Sequence, residues 1–239
     1  MNNLSHLKDA GAGKRVFLIG NGPSLTPAQL DAIKGEESIA MNRIVMIYPH
    51  TQWRPTYYLF TSDNCRHPAW GNAWSADIVH AAWEGATTPI IWRRYAHDIA
   101  ARAGTLPVNT IYLDTVSEHG AGKLEAFSTN AEASIDKSGT SMNVALQLAY
   151  YLGYAETYLI GCDSNWRTAT NTPETGDPNH FHPDYHAHIG DGVDEFRRMN
   201  ATHVVAAHYF NLAGRGIWNL TPGTALTAYE TKDFGEVTK

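Results

Sequence analysis

Residues 140–166 read TSMNVALQLAYYLGYAETYLIGCDSNW. The stretch predicts a helix, a turn and a buried strand that ends on a polar loop. Thr140 and Ser141 are residue types that start a helix by accepting from its first free backbone N–H groups. Val144, Leu148 and Tyr151 fall on one helical face, and Leu146, Tyr150 and Gly153 on the next. Gly153 is the expected stop, since glycine enters the left-handed conformation without a Cβ penalty. Tyr158-Leu159-Ile160-Gly161 is a short apolar run of the kind expected in a strand covered on both faces. Asp163, Ser164 and Asn165 follow at its carboxyl end, the place where open α/β sheets bind ligands.

The same alternation extends toward the N-terminus. Arg15–Ile19 predicts a strand that Gly20-Asn21-Gly22-Pro23-Ser24 breaks sharply. Thr26 and Pro27 suit the cap and first position of a helix running to about Lys34, with Gly35 ending it. Strands are expected at Ser38–Met41, Thr56–Phe60, Pro89–Trp92, Asn109–Leu113 and, last, Gly216–Leu220. Helices are expected at Ala96–Ala103 and Asp194–Phe210. Gly120–Lys137 is polar and predicts a mobile loop crossing the site. Residues 167–191 are rich in Thr, Pro, Gly and His with no period, which predicts a lid or binding segment. The expected fold is a single α/β domain over residues 1–239, with a mainly parallel Rossmann-like sheet, helices on both faces and a long C-terminal lid loop.

Composition narrows the function. The chain has 239 residues, an apolar share of 43% and a formal net charge of −6. That charge argues against nucleic acid as a partner, which would call for a basic stripe. Two cysteines, Cys65 and Cys162, do not make a disulfide framework. No stretch has the length of a membrane span and the first residues lack a signal peptide's apolar core, so a cytoplasmic location is expected.

The predicted strand ends collect Asn21, Ser24, Asn42, Thr61, Ser62, Asp63, Asp163, Ser164 and Asn165. Each suits a turn cap taken singly, but in such a sheet they converge on one crevice. The turn GNGPS is neither G-x-G-x-x-G nor G-x-x-x-x-G-K-[ST], and it has no Lys or Arg to hold a triphosphate. Gly20, Asn21, Gly22 and Ser24 suit a monophosphate or diphosphate held by backbone N–H and amide groups. The segment NHFHPDYHAH, residues 179–188, admits two chemistries beside the reading of a merely solvated polar loop. One histidine is a general base near neutral pH, or His180-x-His182-x-Asp184-x-His186 binds zinc.

RVFLIGNGPSL, AMN, TS and LGYAETYLIGCD resemble motifs of the bacterial sialyltransferases that build lipooligosaccharide caps. The skeleton is also similar to the archaeal hydroxymethyl-dihydropterin diphosphokinases. The resemblance covers about 15–63 and 140–234 and implies a glycosyltransferase using a CMP-sialic acid-like donor without an essential metal cofactor. It implies that Gly20, Asn21, Gly22, Ser24, Asn42, Ser164, Asn165 and Thr221 lie by the nucleotide. It further implies that Thr61, Asp63, Thr140 and Ser141 hold the donor sugar, and that His180 or His182 is the base, with His186 and His188 also open. Met142, Ser138 and Asn165 or Trp166 depart from the family's Gly, Arg and Tyr. These departures bear on sialic acid specificity more than on the nucleotide-sugar class. The diphosphokinase alternative needs Mg²⁺ at Asp63 and Asp163, and a third alternative is a non-catalytic nucleotide-binding module. The expected partners are a nucleotide sugar and a glycan acceptor, with a membrane-peripheral position through that acceptor and a homo-oligomeric state.

Overall fold

Alternation within one strand sets the layers. In β1, Arg15–Ile19, Val16 and Leu18 point into one core while Phe17 and Ile19 point into another. The structure, a computed structural model, describes residues 4–60, 81–83, 85, 88–93, 99–101, 104, 106–113, 116–117, 127–137, 140–165, 176–185 and 193–239.

The other strands are β2 (Ser38–Met41), β3 (Tyr57–Phe60), β4 (Thr88–Trp92), β5 (Ile111–Leu113), β6 (Val116–Ser117), β7 (Ile135–Asp136), β8 (Glu156–Ile160), β9 (Gly216–Asn219) and β10 (Glu230–Thr231). Eight of them form one sheet in the order β10-β9-β8-β1-β2-β3-β4-β5, and each neighbouring pair is parallel. The fold is therefore α/β with a parallel, Rossmann-like sheet. β6 and β7 pair separately. Strand order runs outward in both directions from the β8–β1 pair, so a topological switch point lies between these two strands. At such a point the loops leaving neighbouring strands diverge to opposite faces and open a crevice.

Helices cover both faces. α1 (Pro27–Ala32) starts with a capping box: Gln29 N–H donates to Thr26 Oγ1, and Thr26 N–H donates back to Gln29 Oε1. Leu30, Ile33 and the 3₁₀ stretch Asn42–His50 pack with Trp53 against Phe17, Ile19, Ala40, Tyr58 and Ile160. On the opposite face α2 (Ser141–Tyr151) is buried almost all round, and its Val144, Leu146 and Leu148 meet Val16, Leu18, Ile39 and Leu159. α3 (Val193–Leu212) adds Ala206 and Phe210 to that core. Each such aliphatic side chain contributes roughly 1.5–3 kcal/mol relative to exposure. A short α4, Phe234–Val237, closes the first face. Among the described residues no helix is long and apolar enough to cross a membrane.

Several expectations shift. α1 stops at Ala32, although Gly35 does take a positive φ of 94°. β5 is shorter than the run Asn109–Leu113, because Thr110 N–H closes a turn onto Pro107 O. Gly216–Asn219 is not the last strand, since the exposed pair Glu230–Thr231 adds to it. Residues 99–101 are helical, and the rest of the expected helix 96–103 lies outside the described residues. Within the polar stretch 120–137, the described part is anchored rather than loose. Phe127, Ala131 and Ile135 enter the core, and Gln147 of α2 accepts from Ser128 and Asp136 N–H at 2.9 Å each while donating to Asp136 O.

Candidate functional site

β1 and β8 end side by side, and the two turns that follow interlock. Gly20 N–H donates to Ile160 O and Gly22 N–H to Gly161 O. A Cβ on Gly20 would sit 2.3 Å from Gly161 O, and one on Gly22 would sit 2.0 Å from Asp163 Oδ2. Both glycines are required by this close approach, and their N–H groups are spent on it. What the turn offers outward is Asn21, whose Nδ2 donates to Met41 O at 3.2 Å. Its Oδ1 is buried with no hydrogen-bond partner. Beside it Asn42 follows β2 with φ 53°, donates from Nδ2 to Ser141 Oγ at 3.2 Å, and likewise keeps a buried Oδ1 without a partner. Two orphaned amide oxygens at one crevice are costly unless something donates to them. Ribose hydroxyls, a base amino group or water would do so.

Thr140 caps α2 by accepting from Met142 N–H at 3.2 Å. Ser141, in the first turn, therefore stands where the helix N-terminus meets Asn42. Ser24 and Asp163 form a second pair. Ser24 Oγ donates to Asp163 Oδ2 at 2.8 Å, while burial, partly offset by that bond, raises the carboxyl above its ordinary range. Cys162 is half-buried, and desolvation pushes its thiol up to about 12, so it is no nucleophile. Ser164 holds φ 52°. Asn42 and Ser164, two of the three non-glycine residues with positive φ among those described, thus flank the switch point, where backbone strain often marks a ligand site. Thr221 is buried and accepts from Cys162 N–H at 2.9 Å, and exposed Asn165 donates to Gly223 O at 3.0 Å. Thr221 and Asn165 hold the β8 and β9 loops together.

The described part of the histidine segment, residues 179–185, docks on this turn and on Arg43. Phe181 N–H donates to Asn21 O at 3.0 Å, and the buried Arg43 guanidinium donates to the carbonyls of Asp184 and Tyr185. Burial lowers the Arg43 pKa, against the pull of Tyr185, Asp184 and Asp177. His180 Nδ1 lies 2.8 Å from Asp177 Oδ2, and its ring stacks on Tyr185 with centroids 4.0 Å apart and planes 2° apart. His182 differs, because its Nδ1 accepts from Asp184 N–H at 3.1 Å. An imidazole whose Nδ1 accepts must, when neutral, carry its proton on Nε2. His182 Nε2 then cannot take a proton, so the two histidines are not equivalent as bases.

The structure thus gathers Gly20, Asn21, Gly22, Ser24, Asn42, Thr140, Ser141, Ser164, Asn165, Thr221 and His180 at or beside one crevice. Thr61, Asp63, His186 and His188 lie outside the described residues, as do the parts of 167–191 other than 176–185. Among the described residues no group of three or more His, Cys, Asp or Glu could hold a metal ion. Sequence reasoning missed Asp177, Arg43 and Tyr185. Only an Asp three residues before a His hinted at the first.

Neither a protein-family model nor a curated protein matches the chain. The structure of the MAf glycosyltransferase from Magnetospirillum magneticum AMB-1 superposes with a TM-score of 0.61 at 17% identity. The fold is shared with a glycosyltransferase. The match covers 95% of this chain and 34% of that one, so the present chain spans about a third of the larger protein. The sialyltransferase CstII from Campylobacter jejuni, solved with the substrate analogue cytidine-5'-monophosphate, aligns over 92% of this chain and 85% of that one. Its TM-score of 0.47 at 13% identity is too distant to bear on the site.

Proposed function

We propose that this chain binds a nucleotide-activated sugar, of the CMP-sialic acid type, in the switch-point crevice and transfers the sugar to an acceptor hydroxyl. The observation that carries the reading is that His180, paired with Asp177, precedes Phe181, whose N–H donates to Asn21 O of the glycine-rich turn. Likeness of fold to a glycosyltransferase supports the class. Asn21 and Asn42 receive donor hydroxyl or amino groups on their buried amide oxygens. Gly20, Gly22 and the Ser24–Asp163 pair shape the turn, with Ser164, Asn165 and Thr221 bordering it. Thr140 and Ser141, with Thr61 and Asp63, hold the sugar. An anionic sugar group suits the α2 N-terminus, where backbone N–H groups and the helix dipole favour negative charge.

The reaction is a direct displacement at the anomeric carbon. His180 removes the acceptor hydroxyl proton as the acceptor oxygen bonds to that carbon. The bond from the anomeric carbon to the phosphate oxygen breaks, and the nucleotide leaves with the electron pair. A base placed in this way accelerates the step by roughly 10²–10⁴.

Thermal shift with CMP, CDP, UDP, GDP and ATP, each with and without Mg²⁺, tests the reading. Stabilisation by CMP or a nucleoside diphosphate without metal is the expected result. Stabilisation by ATP alone, and only with Mg²⁺, would replace it with the diphosphokinase alternative.

A further inference from the structure

Two hydrogen bonds fix one carboxylate beneath His180. Asp177 has a side chain with no exposed surface. Its Oδ1 accepts from Asn179 N–H at 2.8 Å, and its Oδ2 faces His180 Nδ1 at 2.8 Å. Held at both oxygens, the carboxylate cannot turn away. A carboxylate only accepts, so the hydrogen of this contact belongs to Nδ1 whether the ring is neutral or charged. The ring plane is fixed as well, because His180 lies flat on Tyr185. Tyr185 is buried, with its backbone carbonyl held by Arg43 and its hydroxyl beside the Asn21 side chain. Among the described residues the titratable groups around the ring are therefore Asp177 and Tyr185, with Arg43 behind them.

We propose that Asp177 is a positioning residue that fixes the tautomer of His180. It keeps the proton on Nδ1 and so makes Nε2 the atom that takes the acceptor's proton. The inference rests on the reading of His180 as the base. It adds why this histidine suits that role while His182, with its Nδ1 accepting from a backbone N–H, does not. In an imidazole the hydrogen bond at one nitrogen decides the state of the other. The arrangement also ties the base to the nucleotide turn through Tyr185 and Asn21, so both reactants are located by one rigid assembly.

The substitution Asp177→Asn tests this cleanly. Asn179 N–H still needs an acceptor, so the new amide keeps its oxygen there and turns its NH₂ toward Nδ1. That reverses the tautomer without removing the side chain. With CMP-sialic acid as donor, turnover should fall on the order of 100-fold or more while CMP affinity stays within about twofold. In ¹⁵N spectra the wild-type His180 Nδ1 should be pyrrole-like, and it should become pyridine-like in the variant. Full turnover in a folded Asp177→Asn protein, or a pyridine-like Nδ1 in the wild type, would overturn the proposal. Absence of any turnover by the wild type would count against the glycosyl-transfer reading. The wild-type ring resonances would still decide the tautomer, as they would if the variant did not fold.

Discussion

At the scale of single residues, a buried histidine of α3 contributes to the response to acid. His203 is fully enclosed beside Tyr229, its Nδ1 2.9 Å from the hydroxyl, and desolvation lowers its pKa from 6.5 to about 4. The unfolded chain therefore binds a proton between those values that the folded chain refuses. Stability from this group is complete above the ordinary histidine value and is lost as pH falls from 6.5 toward about 4. The effect is about 3 kcal/mol at most. Urea unfolding of His203→Gln across that range should show a flatter slope than the parent, and an unchanged slope would assign the acid response elsewhere. Asp163 acts in the opposite sense. Burial raises its carboxyl, so stability declines as pH rises past the ordinary carboxylate value, and the variant should leave that decline visible. Neither shift could have been read from sequence, although Asp163 itself stands out at the end of a predicted strand, because desolvation depends on what packs around a residue. Asn21, Gly22 and Asn42 were legible, since a glycine turn after an apolar strand is a local signal. Their division of labour was not. The glycines serve close approach between two turns that lie far apart in the chain.

At the scale of elements, α2 does more than fill the core. Gln147 uses all four hydrogen-bonding positions of its amide: Ser128 and Asp136 N–H on the oxygen, Asp136 and Asn143 O on the nitrogen. It thereby pins residues 127–137 to the helix. Gln147→Leu would leave two backbone donors without this acceptor, at about 1–3 kcal/mol for each that is buried. Hydrogen exchange should then rise in residues 127–137 while β1 and β8 stay protected, whereas uniform exchange across the sheet would show that α2 itself had failed. This clamp explains a misreading of the sequence. Phe127, Ala131 and Ile135 recur every fourth residue in a polar run, yet no helix forms there, and a distant glutamine holds the segment instead. The reading of α2 and β8 succeeded for the converse reason. Thr140 as cap, Gly153 with φ 85° as stop, and the apolar run before Gly161 are all local signals. β10 is two exposed residues long and gives no such signal.

At the scale of the whole molecule, the switch point between β8 and β1 gathers the candidate residues, and the reading of the site predicts metal independence. Nucleotide affinity measured by calorimetry should survive EDTA, since the described groups proposed to hold the nucleotide are amides, hydroxyls and a helix end. Loss on chelation with recovery on Mg²⁺ would point to the diphosphokinase chemistry instead. The pairing of β1 with β8 also has a consequence for synthesis. Arg15–Ile19 is the central strand, yet its partner Glu156–Ile160 emerges from the ribosome about 140 residues later. At ~5–20 residues per second that interval is on the order of ten seconds. Throughout it, one edge of Val-Phe-Leu-Ile stands as an open row of donors and acceptors, the kind of strand that recruits foreign strands. Nascent chains stopped before residue 156 should therefore pellet or be retained by chaperones, while chains extending past β9 should be released soluble. The molecule places its glycine-rich turn at a seam that only residues about 140 positions later can close.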